Sequence, residues 1–113
     1  MDTANAKRLM IFIDENDRYN GAKLADEIIQ ALRKHGCAGA TAIKGIEGYG
    51  VHKEVHSQKV LGFASNLPIV IVAIDEAEKI DSAREVLRQM IEEGLMVVDS
   101  VHAERISRAQ STA

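Results

Sequence analysis

The residues best suited to bind a ligand are concentrated between Gly36 and His56. Five of the eight glycines lie in this stretch, together with Lys44 and Lys53, and Lys59 follows shortly after it. Glycine-rich backbone amides and lysine ammonium groups together bind small anions. The stretch therefore indicates an anion-binding loop. The alternative is that the lysines are ordinary surface charges, because the spacing matches neither the P-loop nor the dinucleotide-binding fingerprint.

Two histidines in the same stretch have a spacing that metal sites use. His52 and His56 are four residues apart, with Glu54 between them. On a helical turn both imidazoles would lie on one face, where they could hold a divalent metal. Two histidines exposed on a loop would give the same pattern, so the sequence leaves both interpretations open.

Other polar side chains carry weaker indications. Cys37 is either a reactive thiol beside basic residues or a small buried side chain at a helix–strand corner. Asp14, Glu15 and Asp17 either supply metal oxygens or form a polar turn after a strand. Tyr49 either stacks on a flat ligand or fills a hydrophobic gap. No nucleophile triad and no carboxylate pair in an apolar setting stands out, so we expect a binding protein and not an enzyme.

Length and composition limit the class of protein. The chain has 113 residues, of which 46% are hydrophobic and 4% aromatic, and its formal charge is −3. This length predicts a single domain over residues 1–113, with loose tails at 1–6 and 107–113. The acidic balance and the scarcity of aromatic residues argue against a nucleic-acid partner. One cysteine excludes an internal disulfide, and the lack of a signal peptide or membrane-spanning run predicts a cytoplasmic protein.

Hydrophobic periodicity predicts the elements that position these residues. Helical spacing indicates one helix from a cap at Asn20-Gly21 to about His35, stopped by Gly36. It indicates a second helix that is opened by Asp75-Glu76-Ala77-Glu78 and ended by Gly94. Segment 48–66 is predicted to be a long loop, with or without a short helical turn. Compact apolar runs predict four strands, at Lys7–Asp14, Ala40–Ile46, Ile69–Ile74 (with Pro68 as its first residue) and Leu95–Val101.

The order βαββαβ predicts an α+β, ferredoxin-like fold, in which a four-stranded antiparallel sheet carries both helices on one face. No predicted helix covers the other face, although the first and third strands are strongly apolar. We therefore expect the protein to form oligomers through that face. Arg105 and Arg108, in the C-terminal tail, would either reach a neighbouring subunit's loop or remain in solvent.

One known family has a similar pattern over nearly the whole chain, from Leu9 to Val101. The run Gly39–Gly50, which contains Gly-Ile-Glu-Gly-Tyr-Gly and is followed by His56, resembles domain of unknown function family 190. The later residues Leu67-Pro68-Ile69-Val70-Ile71, Asp75 and Glu93-Gly94-Leu95 extend the resemblance. That family is grouped with the PII-like signalling proteins.

The resemblance implies a ferredoxin-like domain that forms a trimer and binds small effectors, often adenine nucleotides, in clefts between subunits. Loop 48–66 would respond to the ligand and contact the target, which the resemblance suggests is a membrane transporter. PII proteins also use a glycine-rich, lysine-containing loop before the last strand, whereas this chain has Glu92–Leu95 there, which leaves room for a different anion or nucleotide. The residues expected to line the cleft around a small anionic effector are Lys44, Gly45, Gly48, Tyr49, Gly50 and His56.

Overall fold

The computed structural model of the protein describes residues 5–50, 55–57 and 66–108. The elements, in chain order, are β1 (Ala6–Asp14), β2 (Arg18–Tyr19), β3 (Ala22–Lys23), α1 (Leu24–Lys34), β4 (Ala40–Lys44), β5 (Glu47–Gly48), β6 (His56–Ser57), β7 (Pro68–Glu76), α2 (Ala77–Met90) and β8 (Leu95–Val101). Within these ranges, neither α1 nor α2 combines the length and apolarity that crossing a membrane requires.

Four of the strands form one antiparallel sheet in the order β4-β7-β1-β8. The two longest strands, β1 and β7, lie in the centre, and their register places Leu9 opposite Ala73 and Ile11 opposite Ile71. The strand order, with one helix in each crossover, is that of the ferredoxin-like fold, so the predicted fold class is confirmed.

The core lies between the sheet and the helices. Alternate residues of β1 and β7 are buried, as the period of a strand requires when only one face is covered. Burying one Leu or Ile side chain stabilises a fold by about 1.5–3 kcal/mol, so this layer supplies most of the folding energy. The main contributors are Leu9, Ile11 and Ile13 of β1, Ile69 and Ile71 of β7, Leu24, Ile28 and Leu32 of α1, and Ile80, Ala83 and Leu87 of α2.

The opposite face of the sheet is apolar and is not covered by any element in the described part of the chain. Leu95 is 59% exposed, Ile43 is 52% exposed and Phe12 is 37% exposed. We call this surface the open face; it consists of Met10, Phe12, Ile43, Val70, Val72, Ile74, Leu95 and Val97.

The predicted cap of the first helix at Asn20-Gly21 is wrong. Both residues have positive φ, 50° and 83°, and they form the two-residue turn between β2 and β3. Such a hairpin turn requires positive φ at both central residues, which Asn and Gly adopt most easily. The helix begins later, at Leu24, whereas Gly36, with φ of 84°, ends it as predicted.

The predicted ends of the second helix are also wrong. Asp75 and Glu76 still belong to β7, and α2 runs only from Ala77 to Met90. Asp75 is 2% exposed, and its carboxylate accepts hydrogen bonds of 2.7 Å from the backbone amides of Ala38 and Glu76. Gly94 lies beyond the helix, where a Cβ would be only 2.9 Å from the carbonyl oxygen of Phe12. A close approach of two backbones, and not a helix stop, therefore requires this glycine.

Candidate ligand-binding cleft

A cleft of about 630 Å³ lies at the end of the sheet where β1 finishes and β8 begins. A volume of this size matches pockets that hold small molecules and cofactors. Its walls come from the end of β1 and the next turn, the segment after β4, the start of β7 and the start of β8. The lining residues are Phe12, Ile13, Asp14, Asp17, Gly45, Glu47, Gly48, Tyr49, Gly50, Pro68, Val70, Glu93, Gly94 and Leu95.

Two glycines allow the segment after β4 to fold across Pro68. The amide of Gly45 donates a 2.7 Å hydrogen bond to the carbonyl oxygen of Pro68. Strand β4 ends at Lys44 and not at Ile46 as predicted. The next residues form a short antiparallel pair, in which Gly48 lies opposite His56. One wall of the cleft is therefore glycine backbone packed directly on a proline ring.

Tyr49 and Gly50 extend that wall into solvent. The Tyr49 side chain is 69% exposed, so it does not fill a gap in its own chain. A Cβ on Gly50 would have no heavy atom within 4 Å. Packing among the described residues therefore gives no reason for a glycine at position 50, and both residues are accessible to a ligand.

The charged side chains that line the cleft are all acidic among the residues described. They are Asp14 and Asp17 at the end of β1, Glu47 in β5 and Glu93 before β8. Asp17 also orders its own turn, because one of its carboxylate oxygens accepts a 3.0 Å hydrogen bond from the amide of Asp14. On its own, the wall contributed by one chain favours neutral or amine-bearing parts of a ligand over a phosphate.

Lys44 does not line this cleft. Its Nζ lies 2.8 Å from Oε2 of Glu15, and this contact is the main reason that the pKa of Glu15 is lowered. The structure thus places Gly45, Gly48, Tyr49 and Gly50 along the cleft, but pairs the lysine with a carboxylate of its own chain.

The histidines expected to bind metal fall largely outside the described residues. His52 is not described, and His56 is described only through its backbone pairing with Gly48. Among the described side chains, no group of three His, Cys, Asp or Glu residues is arranged to hold a metal ion. Cys37 is buried, which raises the pKa of its thiol and leaves it a poor nucleophile at neutral pH.

The cleft is continuous with the open face. Phe12, Val70 and Leu95 belong to both, because they are the first apolar residues of the open face at this end of the sheet. A molecule packed on the open face would consequently cover one side of the cleft.

Several lining residues have no signal in the sequence that marks them as part of a site. Phe12, Val70 and Leu95 look like ordinary strand residues, and Glu93 looks like an ordinary polar residue of a turn. Pro68 is recognisable as a strand start, but its packing against two glycines that lie 23 and 20 residues earlier depends on the antiparallel register of β4 and β7. Such a contact becomes visible only when the sheet order is known.

Two curated relatives cover most of this chain. A UPF0166 protein of Methanocaldococcus jannaschii is 34% identical over 98 residues, which are 86% of this chain and 90% of that protein. A UPF0166 protein of Aquifex aeolicus strain VF5 is 35% identical over 80 residues, which are 71% of this chain and 76% of that protein.

Among solved structures, CPII of Thiomonas intermedia K12 has a similar fold. It is described as a nitrogen regulatory PII-like protein bound to ADP, AMP and bicarbonate. The TM-score is 0.68 at 19% identity, and the similarity covers 88% of this chain and 89% of that one. At this identity the likeness establishes the fold and leaves the ligand open.

Residues 6–103 match the model of one family, DUF190, described as "Uncharacterized ACR, COG1993". This match confirms the resemblance that the glycine-rich run and the later motifs indicate. The chain belongs to the DUF190 (UPF0166) family and has a PII-like fold.

Proposed function

We propose that this protein is a PII-like sensor that binds a small anionic effector, an adenine nucleotide, in clefts between the subunits of a homotrimer. It acts by binding and not by catalysis. Bound effector changes how segment 48–66 meets a partner, which the family resemblance suggests is a membrane transporter. The observation that carries the proposal is the continuity of the cleft with an uncovered apolar face.

The open face supports assembly from copies of the same chain. Exposed apolar patches rimmed by polar residues commonly mark protein–protein contacts. Ion pairs stand at its rim, such as Arg8 with Asp99, whose shortest contact is 2.7 Å. A second copy packed on this face would bury Phe12 and Leu95 and enclose the cleft on the side that one chain leaves open.

The chemistry of the cleft supports one orientation for a bound nucleotide. Tyr49, Phe12 and Leu95 offer apolar surface for an adenine ring, and nearby carboxylates can accept hydrogen bonds from its amino group. The acidic lining would repel phosphates. The phosphates would therefore point away from this lining, to cations of the neighbouring copy. CPII, which has the same fold, is bound to ADP, AMP and bicarbonate, and these are the first ligands to test.

The effector's influence on a partner would pass through segment 48–66. Both ends of this segment lie at the cleft, because Gly48 lines it directly and Asn66 lies two residues before the lining residue Pro68. Residues 51–54 and 58–65 lie outside the described structure. The proposal requires only that a ligand bound at the two ends of segment 48–66 changes the surface that the rest of the segment offers to a partner.

Thermal-shift assays and isothermal titration calorimetry with ADP, AMP and bicarbonate test the proposal, together with light scattering after size exclusion. Ligand at about a hundred times its dissociation constant stabilises the folded state by about 2.7 kcal/mol, which raises the melting temperature by several degrees. We expect a trimer that binds at least one of the three ligands. A monomer in solution, or a trimer whose melting temperature none of the three moves, would refute the proposal.

A further inference from the structure

Glu15, in the turn after β1, makes three contacts with two distant segments. Its amide donates a 2.9 Å hydrogen bond to the carbonyl oxygen of Leu67. Its Oε1 accepts a 3.2 Å hydrogen bond from the amide of Leu67, and its Oε2 lies 2.8 Å from Nζ of Lys44. The side chain is only 18% exposed, so one carboxylate is held between the end of β4 and the residue before β7.

Two neighbouring contacts strengthen the same junction. The amide of Gly45 donates a 2.7 Å hydrogen bond to the carbonyl oxygen of Pro68. Nδ2 of Asn16 donates to Oδ1 of Asn66. Segment 45–67 therefore begins and ends at one point, where the Glu15 side chain is bonded to Lys44, just before its start, and to Leu67, its last residue.

This junction lies directly behind the cleft. Gly45 and Gly48, from the start of the segment, and Pro68, just after its end, form one wall. Glu15 itself is not a lining residue. Any change in the separation of Lys44 and Leu67 would nevertheless move the glycine backbone against the proline ring, and would change the shape that a ligand meets.

The other ion pairs differ from this one in what they connect. Lys7 and Asp81, whose shortest contact is 2.9 Å, join β1 to α2. Arg8 and Asp99 join the paired strands β1 and β8. Both join regular elements away from the cleft, whereas the Glu15 contacts reach the two residues at the ends of a long connection, one of which, Lys44, is also paired with Ile69 in the sheet.

We propose that Glu15 is a positioning residue of the effector cleft, which sets the wall formed by Gly45, Gly48 and Pro68 by fixing both ends of segment 45–67. The inference rests on the proposed function, since it assigns Glu15 a role in the affinity of that same cleft. The role is indirect: Glu15 contacts Lys44 and Leu67, which are the sequence neighbours of the lining residues Gly45 and Pro68.

Four variants test the role of Glu15: two at Glu15 itself, Lys44→Met and a control. Glu15→Ala removes both side-chain contacts, and Glu15→Gln keeps an oxygen that can accept from Leu67 while losing the charge that attracts Lys44. Asp81→Asn is the matched control, because it also removes a carboxylate paired with a lysine but lies away from the cleft. Two quantities are measured by NMR and calorimetry: the hydrogen-exchange rates of the Gly45 and Leu67 amides, and the affinity for ADP.

In Glu15→Ala we expect the Leu67 amide to exchange at least about tenfold faster and ADP affinity to fall about tenfold. Glu15→Gln should show a smaller change in both the amide exchange rate and the ADP affinity, and Lys44→Met should show the same smaller change. Asp81→Asn should leave ADP affinity within about twofold of wild type. Exchange rates equal to wild type in Glu15→Ala would overturn the proposal, as would faster exchange with unchanged ADP affinity.

The test separates this proposal from the proposed function. If the wild-type protein binds neither ADP nor AMP, the nucleotide function fails, and the amide chemical shifts of Gly45 and Gly48 decide the role of Glu15. Displaced shifts in Glu15→Ala, absent from Asp81→Asn, support a positioning role. Shifts that match the wild-type spectrum contradict it.

Discussion

The ring of Pro68 occupies the space that a side chain at Gly45 would need. A Cβ on Gly45 would lie 2.7 Å from Cγ of Pro68, and a Cβ on Gly48 would lie 3.1 Å from the same atom. Neither glycine has a positive φ; among the described glycines, only Gly21 and Gly36 do. The glycines beside the cleft are therefore explained by close approach to proline and not by an unusual backbone conformation.

Gly45→Ala should destabilise the protein by about 1–3 kcal/mol, because the added methyl forces the segment after β4 away from Pro68. Urea unfolding at fixed protein concentration measures this loss. Gly39→Ala is the matched control, since a Cβ there would have no heavy atom within 4 Å. If both variants lose the same free energy of unfolding, the close approach to Pro68 is not the reason for a glycine at position 45.

Gly50→Ala should leave stability within about 0.5 kcal/mol of wild type, because a Cβ there also meets open space. It should still weaken ADP binding by about tenfold, because the methyl group projects from backbone that lines the cleft. Calorimetry on this variant and on Gly39→Ala, which lies outside the cleft, separates the two effects. If Gly50→Ala binds ADP as tightly as the wild type does, Gly50 does not contact the ligand.

The stability that Glu15 contributes should depend on pH in the acid range. The hydrogen bond from Lys44, and then that from the Leu67 amide, lower the pKa of Glu15 below its ordinary value of 4.5. The native state therefore binds this proton more weakly than the unfolded state does, so the contribution is complete above about pH 4.5 and is lost as the pH falls through the native pKa.

The difference in unfolding free energy between wild type and Glu15→Gln measures this effect. It should be largest near neutral pH and should shrink as the pH falls below 4.5. Lys7 similarly lowers the pKa of Asp81, so the unfolding free energy of the wild type depends on acid pH through both carboxylates. The difference between wild type and Glu15→Gln isolates the part that comes from Glu15. A difference that stays constant down to strongly acid pH would show that the charge of Glu15 is not involved.

Val72→Asp should dissociate the oligomer. Val72 lies at the centre of the open face, opposite Met10 of β1 and Thr41 of β4. A carboxylate buried there without a partner would disfavour association strongly. Light scattering should give the mass of one chain for this variant, while Ser82→Asp, on the exposed side of α2, should keep the wild-type mass. An unchanged mass in Val72→Asp would place the subunit contact elsewhere.

The fold could be predicted from the sequence because its signals are local and repeated. The apolar run at residues 69–74 predicts a strand, and the helical spacing of Leu24, Ile28 and Leu32 predicts a helix; both are confirmed. The predicted helix boundaries were wrong where the same residues suit two different local structures. Asn20-Gly21 suits a hairpin turn as well as a cap, and Asp75 is as compatible with a buried strand end as with an acidic first turn.

The site was only partly predictable, for a different reason. The glycine cluster is contiguous in sequence, so Gly45, Gly48 and Gly50 could be recognised together. The partner of Lys44 could not be predicted from the sequence. It depends on which side of β4 the lysine occupies and on the turn after β1, which places Glu15 beside the lysine. The acidic lining likewise combines residues from the start, middle and end of the chain, brought together by the pairing of β1 with β7 and β8 and of β4 with β7.

The most direct test is an amide NMR titration of the wild-type protein with ADP, following its glycine signals. We predict that the Gly45, Gly48 and Gly50 signals shift as ADP is added, while those of Gly21, Gly36 and Gly39, which lie outside the cleft, stay in place. Shifts confined to the second group, or none in either group with ADP, AMP or bicarbonate, would contradict an effector site in this cleft.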